Sequence, residues 1–202
     1  MKIIIARHGQ TDENIGDGIA VRSSEILLNS EGIKQAERLG DYLKSYNISH
    51  AYSSPLRRAV QTTNKILQYH QNAKFLIADH LIEQNLGVAE TMPKSVWKEI
   101  KKNSLEPWHL FKAENGESYT ELQNRSVNFF NGLVSNHSDN DTVLIVSHGG
   151  PLGVLMLHIL EKPLTEENYK VNQPHNTEFS ILEIFSGGAK KIHKINSREH
   201  LI

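Results

Sequence analysis

From Thr142 to Leu160 the sequence reads TVLIVSHGGPLGVLMLHIL and carries no Asp, Glu, Lys or Arg. Its length is close to the ~20 residues of a membrane-spanning helix. Gly149, Gly150 and Pro151 lie near its centre, however, and that triplet breaks a helix. The pattern predicts a buried strand over 142–147, a sharp turn, and a buried helix over 150–160 starting at Pro151. A second run, IIIARHGQ from Ile3, ends in the same way, with aliphatic residues followed by His-Gly. If the two runs are parallel strands of one sheet, His8 and His148 share its carboxyl edge, where open α/β sheets bind ligands.

The rest of the chain alternates apolar runs with helical periodicity, which points to an α/β fold. Residues 2–6 read as a strand. Residues 30–46 read as a helix with Ile33, Ala36, Leu39, Leu43 and Tyr46 on one face. A short strand over 48–53 precedes a helix for which Ser54 suits the N-cap and Pro55 the first turn. Residues 75–78 suggest a third strand. Residues 84–115 are irregular, carry Trp97, Trp108 and Phe111, and read as an insertion that could cap a pocket. Ser118 and Glu121 have capping-box spacing at the start of a helix with Leu122, Phe129, Leu133 and Val134 toward the core. The segments EFSILEIF and AKKIHKIN flank Gly187-Gly188 and predict a hairpin. No linker divides the chain, so residues 1–202 are expected to form one domain.

The net charge of -1 over 202 residues gives no sign of a nucleic-acid or membrane partner. There are no cysteines, which excludes disulfides, thiolate metal sites and a cysteine nucleophile. The N-terminal apolar run stops at Arg7, too early for a signal peptide, so a cytoplasmic location is expected. None of the 11 histidines falls in a metal-ligand spacing such as H-E-x-x-H, so no metal and no cofactor are expected. His70, His80, His109, His137 and His200 sit among polar residues and are expected at the surface.

Two arginines, two histidines and helix N-termini at one sheet edge describe a pocket for a dianion. Arg7 and Arg58 suit phosphate because a guanidinium donates two parallel hydrogen bonds. Gly149 and Gly150 open a helix whose N-terminus favours an anion. A neutral imidazole in such a pocket can attack phosphorus and form a phosphohistidine, with the cations stabilising the transferring group. A second group must then protonate the leaving oxygen, and Glu83 in LIEQNLG is the best-placed carboxyl.

In order, the elements RHGQTDEN, LNSEGIKQAERLGDYL, YSSPLRRAVQT, IEQNLG, NGESYTELQNR and VSHGG resemble the histidine phosphatase superfamily, of the cofactor-dependent phosphoglycerate mutase type. The resemblance implies a three-layer α/β/α sandwich with a mostly parallel central sheet. It implies His8 as the phosphorylated nucleophile and Glu83 as proton donor and acceptor. It implies a phosphate pocket of Arg7, Arg58 and His148, with Asn14 and Thr11 near the phosphate, and selects Arg58 over Arg57. The sequence EQNLGVAET departs from the family pattern after the acid and leaves Glu90 as a second candidate for that role. The segment IGDGIAVRSSEI also departs, and Arg22 within it is a candidate for a second anionic group. The expected activity is hydrolysis of a small phosphomonoester without a metal. A phosphoglycerate mutase and an inactive phospho-ligand binding module are the alternatives.

Overall fold

The computed structural model describes residues 1–16, 23 and 25–202. Arg22 therefore lies outside the described residues. Six strands form one sheet: β1 (Lys2–Arg7), β2 (His50–Ser53), β3 (Lys74–Ile77), β4 (Thr142–Ser147), β5 (Phe179–Ile184) and β6 (Lys190–Ser197). Their order is β3-β2-β4-β1-β5-β6. The first four are mutually parallel, whereas β5 and β6 form the antiparallel hairpin expected around Gly187-Gly188.

The two uninterrupted apolar runs are the central pair. In β1 and β4 every residue from Ile3 to Ala6 and from Val143 to Val146 is buried, because helices cover both faces of the sheet. Side chains alternate across the pleat. Ile3, Ile5, Val143 and Ile145 point to one face, where they meet α4 (Tyr119–Asn136) and α5 (Gly149–Ile159). Ile4, Ala6, Leu144 and Val146 point to the other, against α1 (Ser30–Leu43) and α2 (Arg57–Leu67). The result is a three-layer α/β/α sandwich. Two further helices, α3 (Lys94–Lys102) and α6 (Glu166–Asn172), contribute residues to the site described below.

Local chemistry sets the ends of the helices. Asn29 caps α1 by accepting from the Gly32 N–H at 2.9 Å. Ser118 and Glu121 form the expected capping box on α4. Helix α1 stops at Leu43, and Tyr46 packs against the core from beyond its end. On α4 it is Phe130 that is buried, whereas Phe129 and Val134 pack at the margin. Helix α2 begins at Arg57, not at Ser54-Pro55, because Leu56 is in extended backbone and takes the N-cap position, while the Ser54 hydroxyl accepts from the Leu56 N–H one turn earlier and also reaches His148. Among the described residues, no helix is long and apolar enough to cross a membrane.

Candidate active site

Parallel pairing sets His8 against His148. Arg7 pairs with Ser147 at the last rung of the ladder, and the His8 N–H extends it by donating to the Ser147 carbonyl at 3.0 Å. The two imidazoles meet edge to face with centroids 5.0 Å apart. Both are almost wholly buried.

Each ring is held by one nitrogen. His8 Nδ1 lies 2.7 Å from the Gly9 carbonyl oxygen, an acceptor only, so Nδ1 carries the proton and Nε2 the lone pair. Burial first, then Arg7 and Arg58, hold the His8 pKa well below its ordinary value. The ring is therefore neutral at neutral pH. His148 Nε2 lies 2.7 Å from the Ser54 hydroxyl. That oxygen already accepts from the Leu56 N–H at 3.3 Å, so its proton is available to His148 Nε2. This leaves Nδ1–H as the free donor of His148. His148 Nδ1 and Arg7 Nε are buried without a partner among the described residues. Orphaned buried donors of this kind are what a phosphate oxygen would satisfy.

The backbone around the motif is tightly fitted. A Cβ on Gly9 would stand 2.4 Å from the Gly32 carbonyl oxygen, and one on Gly32 would stand 2.0 Å from that of Gln10. The glycines of ARHGQ and NSEG therefore let α1 pack directly on the turn that follows β1. The Gly9 N–H also donates to the Thr62 hydroxyl on α2 at 3.0 Å.

A cavity of about 280 Å³ opens over this floor. Arg7, His8, Thr11, Asn14, Arg58 and Glu83 all line it. Arg7 is tethered by its Nη1–H to the Pro174 carbonyl at 2.9 Å, and Arg58 by its Nη1–H to that of Ser23 at 3.0 Å. Arg58 is buried, whereas Arg57 is exposed and pairs with Glu25 at 3.0 Å. Asn14 Oδ1 accepts from the Thr11 N–H at 3.1 Å and from Asn176 Nδ2 at 2.9 Å, which closes the loop against the pocket. Glu83 Oε1 accepts from the Gln84 N–H at 2.8 Å. It also sits over Gly150, where a Cβ would come within 2.3 Å of that oxygen.

Residues 3–198 match the family described as the histidine phosphatase superfamily, branch 1. The chain belongs to this superfamily. A probable phosphatase of Schizosaccharomyces pombe is 28% identical over 206 residues, covering 100% of this chain and 95% of that protein. A 2,3-bisphosphoglycerate-dependent phosphoglycerate mutase of Cytophaga hutchinsonii is 30% identical over 171 residues, covering 82% of this chain and 79% of that protein. A structure of phosphoserine phosphatase from Entamoeba histolytica, in complex with 3-phosphoglyceric acid, superposes with a TM-score of 0.81. It is 26% identical and covers 100% of this chain and 99% of that one.

Several site expectations need adjustment. Gly150 lines the cavity, whereas Gly149 and the fully buried His148 are not among its lining residues, and His148 lies behind His8, its ring against that of His8. Gly149 instead lies against the Gln173 and Arg7 side chains. Glu90 is not among the cavity residues, and its Oε1 accepts from the Leu86 N–H at 3.3 Å, which holds the loop after Glu83. Trp97 lines the cavity. Phe111 stacks on Trp97 at 5.4 Å and Trp108 on Tyr119 at 3.9 Å, so both act as backing. Residues 84–115 hold helix α3, from which Lys94, Trp97 and Lys101 reach the cavity.

The sequence reading missed Ser54 as the partner of His148, and Tyr119, Tyr169 and Gln173 as part of the wall. Burial raises the pKa of Tyr119 and Tyr169, so both phenols stay protonated as donors at neutral pH. Tyr169 and Gln173 lie on and just after α6, a seven-residue helix too short and polar to show periodicity.

Proposed function

We propose that this member of the histidine phosphatase superfamily hydrolyses a small phosphomonoester in two in-line steps at His8. The observation that carries the proposal is the locked His8 ring. Its Nδ1–H is held by the Gly9 carbonyl 2.7 Å away, so Nε2 supplies the lone pair beside the half-buried Arg7 and the buried Arg58. In the first step Nε2 attacks phosphorus, the bond from phosphorus to the leaving oxygen breaks, and protonated Glu83 gives that oxygen its proton. In the second step Glu83 takes a proton from water. The water oxygen attacks phosphorus, and the bond to Nε2 breaks to give inorganic phosphate and neutral His8. Arg7, Arg58 and His148 Nδ1–H hold the phosphoryl oxygens through both transition states.

The wall indicates the leaving group. Trp97, Tyr119 and Tyr169 form an aromatic side, and Lys94 and Lys101 supply two cations. The Lys94 ammonium donates to the Glu13 carbonyl. Burial lowers the Lys101 pKa. Lys101 bonds the Tyr119 hydroxyl at 3.3 Å and makes no ion pair among the described residues. A partly desolvated cation, hydrogen-bonded to a phenol and with Glu166 near it but not paired to it, suits a second anionic group on the substrate, such as a carboxylate. The relative solved with 3-phosphoglyceric acid has a ligand of that type.

The test is turnover of p-nitrophenyl phosphate and of carboxylated phosphomonoesters in the presence of chelator. His8→Ala should abolish turnover of both and remove any trapped phosphohistidine, and undiminished turnover would overturn the proposal. Lys101→Met should raise KM for 3-phosphoglycerate about tenfold, with little change for p-nitrophenyl phosphate. Equal effects on the two substrates would refute the role given to Lys101. Formation of 2-phosphoglycerate in place of inorganic phosphate would make the enzyme a mutase instead.

A further inference from the structure

At the end of the sheet opposite the cavity, three side chains from separate parts of the chain converge. His50 is the first residue of β2, His137 follows the last residue of α4, and Asp141 immediately precedes β4. One ligand atom from each lies within 4.8 Å of the other two. Strand β4 runs between Asp141 and His148, and that length of chain is about 23 Å at ~3.3 Å per residue. The cluster is therefore no part of the phosphate site.

Hydrogen bonding describes these contacts poorly. His50 Nδ1 stands 3.5 Å from Asp141 Oδ1, and His137 Nδ1 stands 3.4 Å from Oδ2. Hydrogen bonds between such groups run about 2.7–3.2 Å. A tetrahedral ion with bonds of about 2.0–2.2 Å sets neighbouring donor atoms about 3.3–3.6 Å apart, so each imidazole stands at ligand spacing from one Asp141 oxygen, Oδ1 for His50 and Oδ2 for His137, and ligation through a single oxygen requires the carboxylate to turn. The outer atoms are supported as metal ligands usually are. His137 Nε2 lies 3.0 Å from the Tyr52 hydroxyl. Asp141 accepts from the Ser138 N–H at 2.8 Å, the Ser138 hydroxyl at 3.0 Å and the Ser49 hydroxyl at 2.9 Å. The hydrogen bond between His50 Nδ1 and the Ser49 hydroxyl, 3.0 Å, is the one contact that ligation through Nδ1 would break. The His137 side chain is 5% exposed, whereas those of His50 and Asp141 are 19% and 20% exposed. One flank thus stays open for entry and for a water as fourth ligand.

We propose that His50, His137 and Asp141 form a site for a divalent transition-metal ion, with zinc preferred. Two imidazoles and one carboxylate suit zinc and its neighbours, whereas magnesium and calcium require all-oxygen shells. The ion would tie the start of β2, the end of α4 and the start of β4 into one unit. The local spacing rules that predicted no metal are blind to it, because His50 lies 87 residues from His137.

The test is calorimetric titration of the EDTA-stripped full chain with Zn²⁺, followed by Co²⁺ titration read by visible absorption. The expected result is one ion per chain, a four-coordinate Co²⁺ spectrum, and a melting temperature raised by about 5 °C or more at a hundredfold excess over Kd. His50→Gln and Asp141→Asn should each weaken binding by at least about 100-fold, while His8→Ala leaves it intact. Turnover by His50→Gln in EDTA should match that of the stripped wild type, which also shows that the variant folds. Failure of the wild type to bind stoichiometrically overturns the proposal without reference to any variant. So does loss of binding in His8→Ala with retention in His50→Gln.

Discussion

A methyl group on Gly150 isolates the position of the proton donor. The added Cβ would lie 2.3 Å from Glu83 Oε1 and 3.4 Å from both Glu83 Cδ and Leu122 Cδ2. Only the first distance is impossible. The atom in the way is the far end of a flexible side chain, so the carboxylate retreats by about 1 Å and gives up the Gln84 N–H. Folding should scarcely register this change, because alanine in place of a helical glycine contributes roughly 0.5–1 kcal/mol in the opposite direction. Chemistry should register it strongly. A displacement of that size at a catalytic group costs on the order of 100-fold, or about 2.7 kcal/mol in the barrier. Gly150→Ala should therefore keep the wild-type melting temperature while kcat on an alkyl phosphate falls about 100-fold. On p-nitrophenyl phosphate the first step should be spared, because nitrophenolate departs without a proton, so the burst of nitrophenolate should keep its rate while kcat falls through the second step, where Glu83 acts as base. Glu83→Gln should show the same contrast between substrates. If Gly150→Ala keeps kcat on alkyl phosphates within about twofold, the carboxylate does not act from the position described, and the role given to Glu83 fails.

Two further outcomes follow from packing and from burial. Gly32→Ala places its Cβ against backbone, 2.0 Å from the Gln10 carbonyl oxygen, where no side chain can yield. It should destabilise the protein by about 2–3 kcal/mol in a denaturant titration despite the gain in helix propensity, and an unchanged midpoint would show that α1 is not held against the His8 turn. For pH dependence, burial is the leading cause that lowers His8 and His148 well below 6.5, and it takes His200 to about 4. The unfolded chain binds protons near pH 6.5 that the folded chain refuses, so stability is fully present above that pH and is lost as pH falls from there toward the folded-state pKa values. The melting temperature should be flat from about pH 8 to about pH 7, then drop by at least about 5 °C by about pH 4.5. A flat profile across the whole range would mean that these rings are protonated in the folded state.

The parts of the molecule legible in the sequence are those where one local rule decides. Strands β1 and β4 announce themselves because burial on both faces leaves an unbroken aliphatic run. The start of α4 is legible because Ser118 and Glu121 satisfy each other within a single turn. Once the strands were taken as parallel, His8 and His148 had to share an edge. The features that stayed hidden depend on contacts between distant segments. Ser54 looks like a helix cap until β2 lies beside β4, where its N–H reaches the Val146 carbonyl at 3.0 Å and its hydroxyl reaches His148. His200 has polar neighbours in sequence, yet the C-terminal turn folds it onto Thr177, whose hydroxyl is 2.9 Å from its Nε2, and it is buried. His137, also expected at the surface, has a side chain only 5% exposed because Tyr52 and Asp141 close over it.

The gap between the two imidazoles is a backbone dimension. It is the spacing of adjacent parallel strands, carried one residue past the rung at which Arg7 faces Ser147. Side chains in the core do not set it. Isoleucine, valine and leucine can replace one another along β1 and β4 and leave the reacting groups where they are. One residue inserted into either strand would turn its histidine to the other face of the sheet. Descendants of such a chain are free to respell these strands, provided that they never change the count.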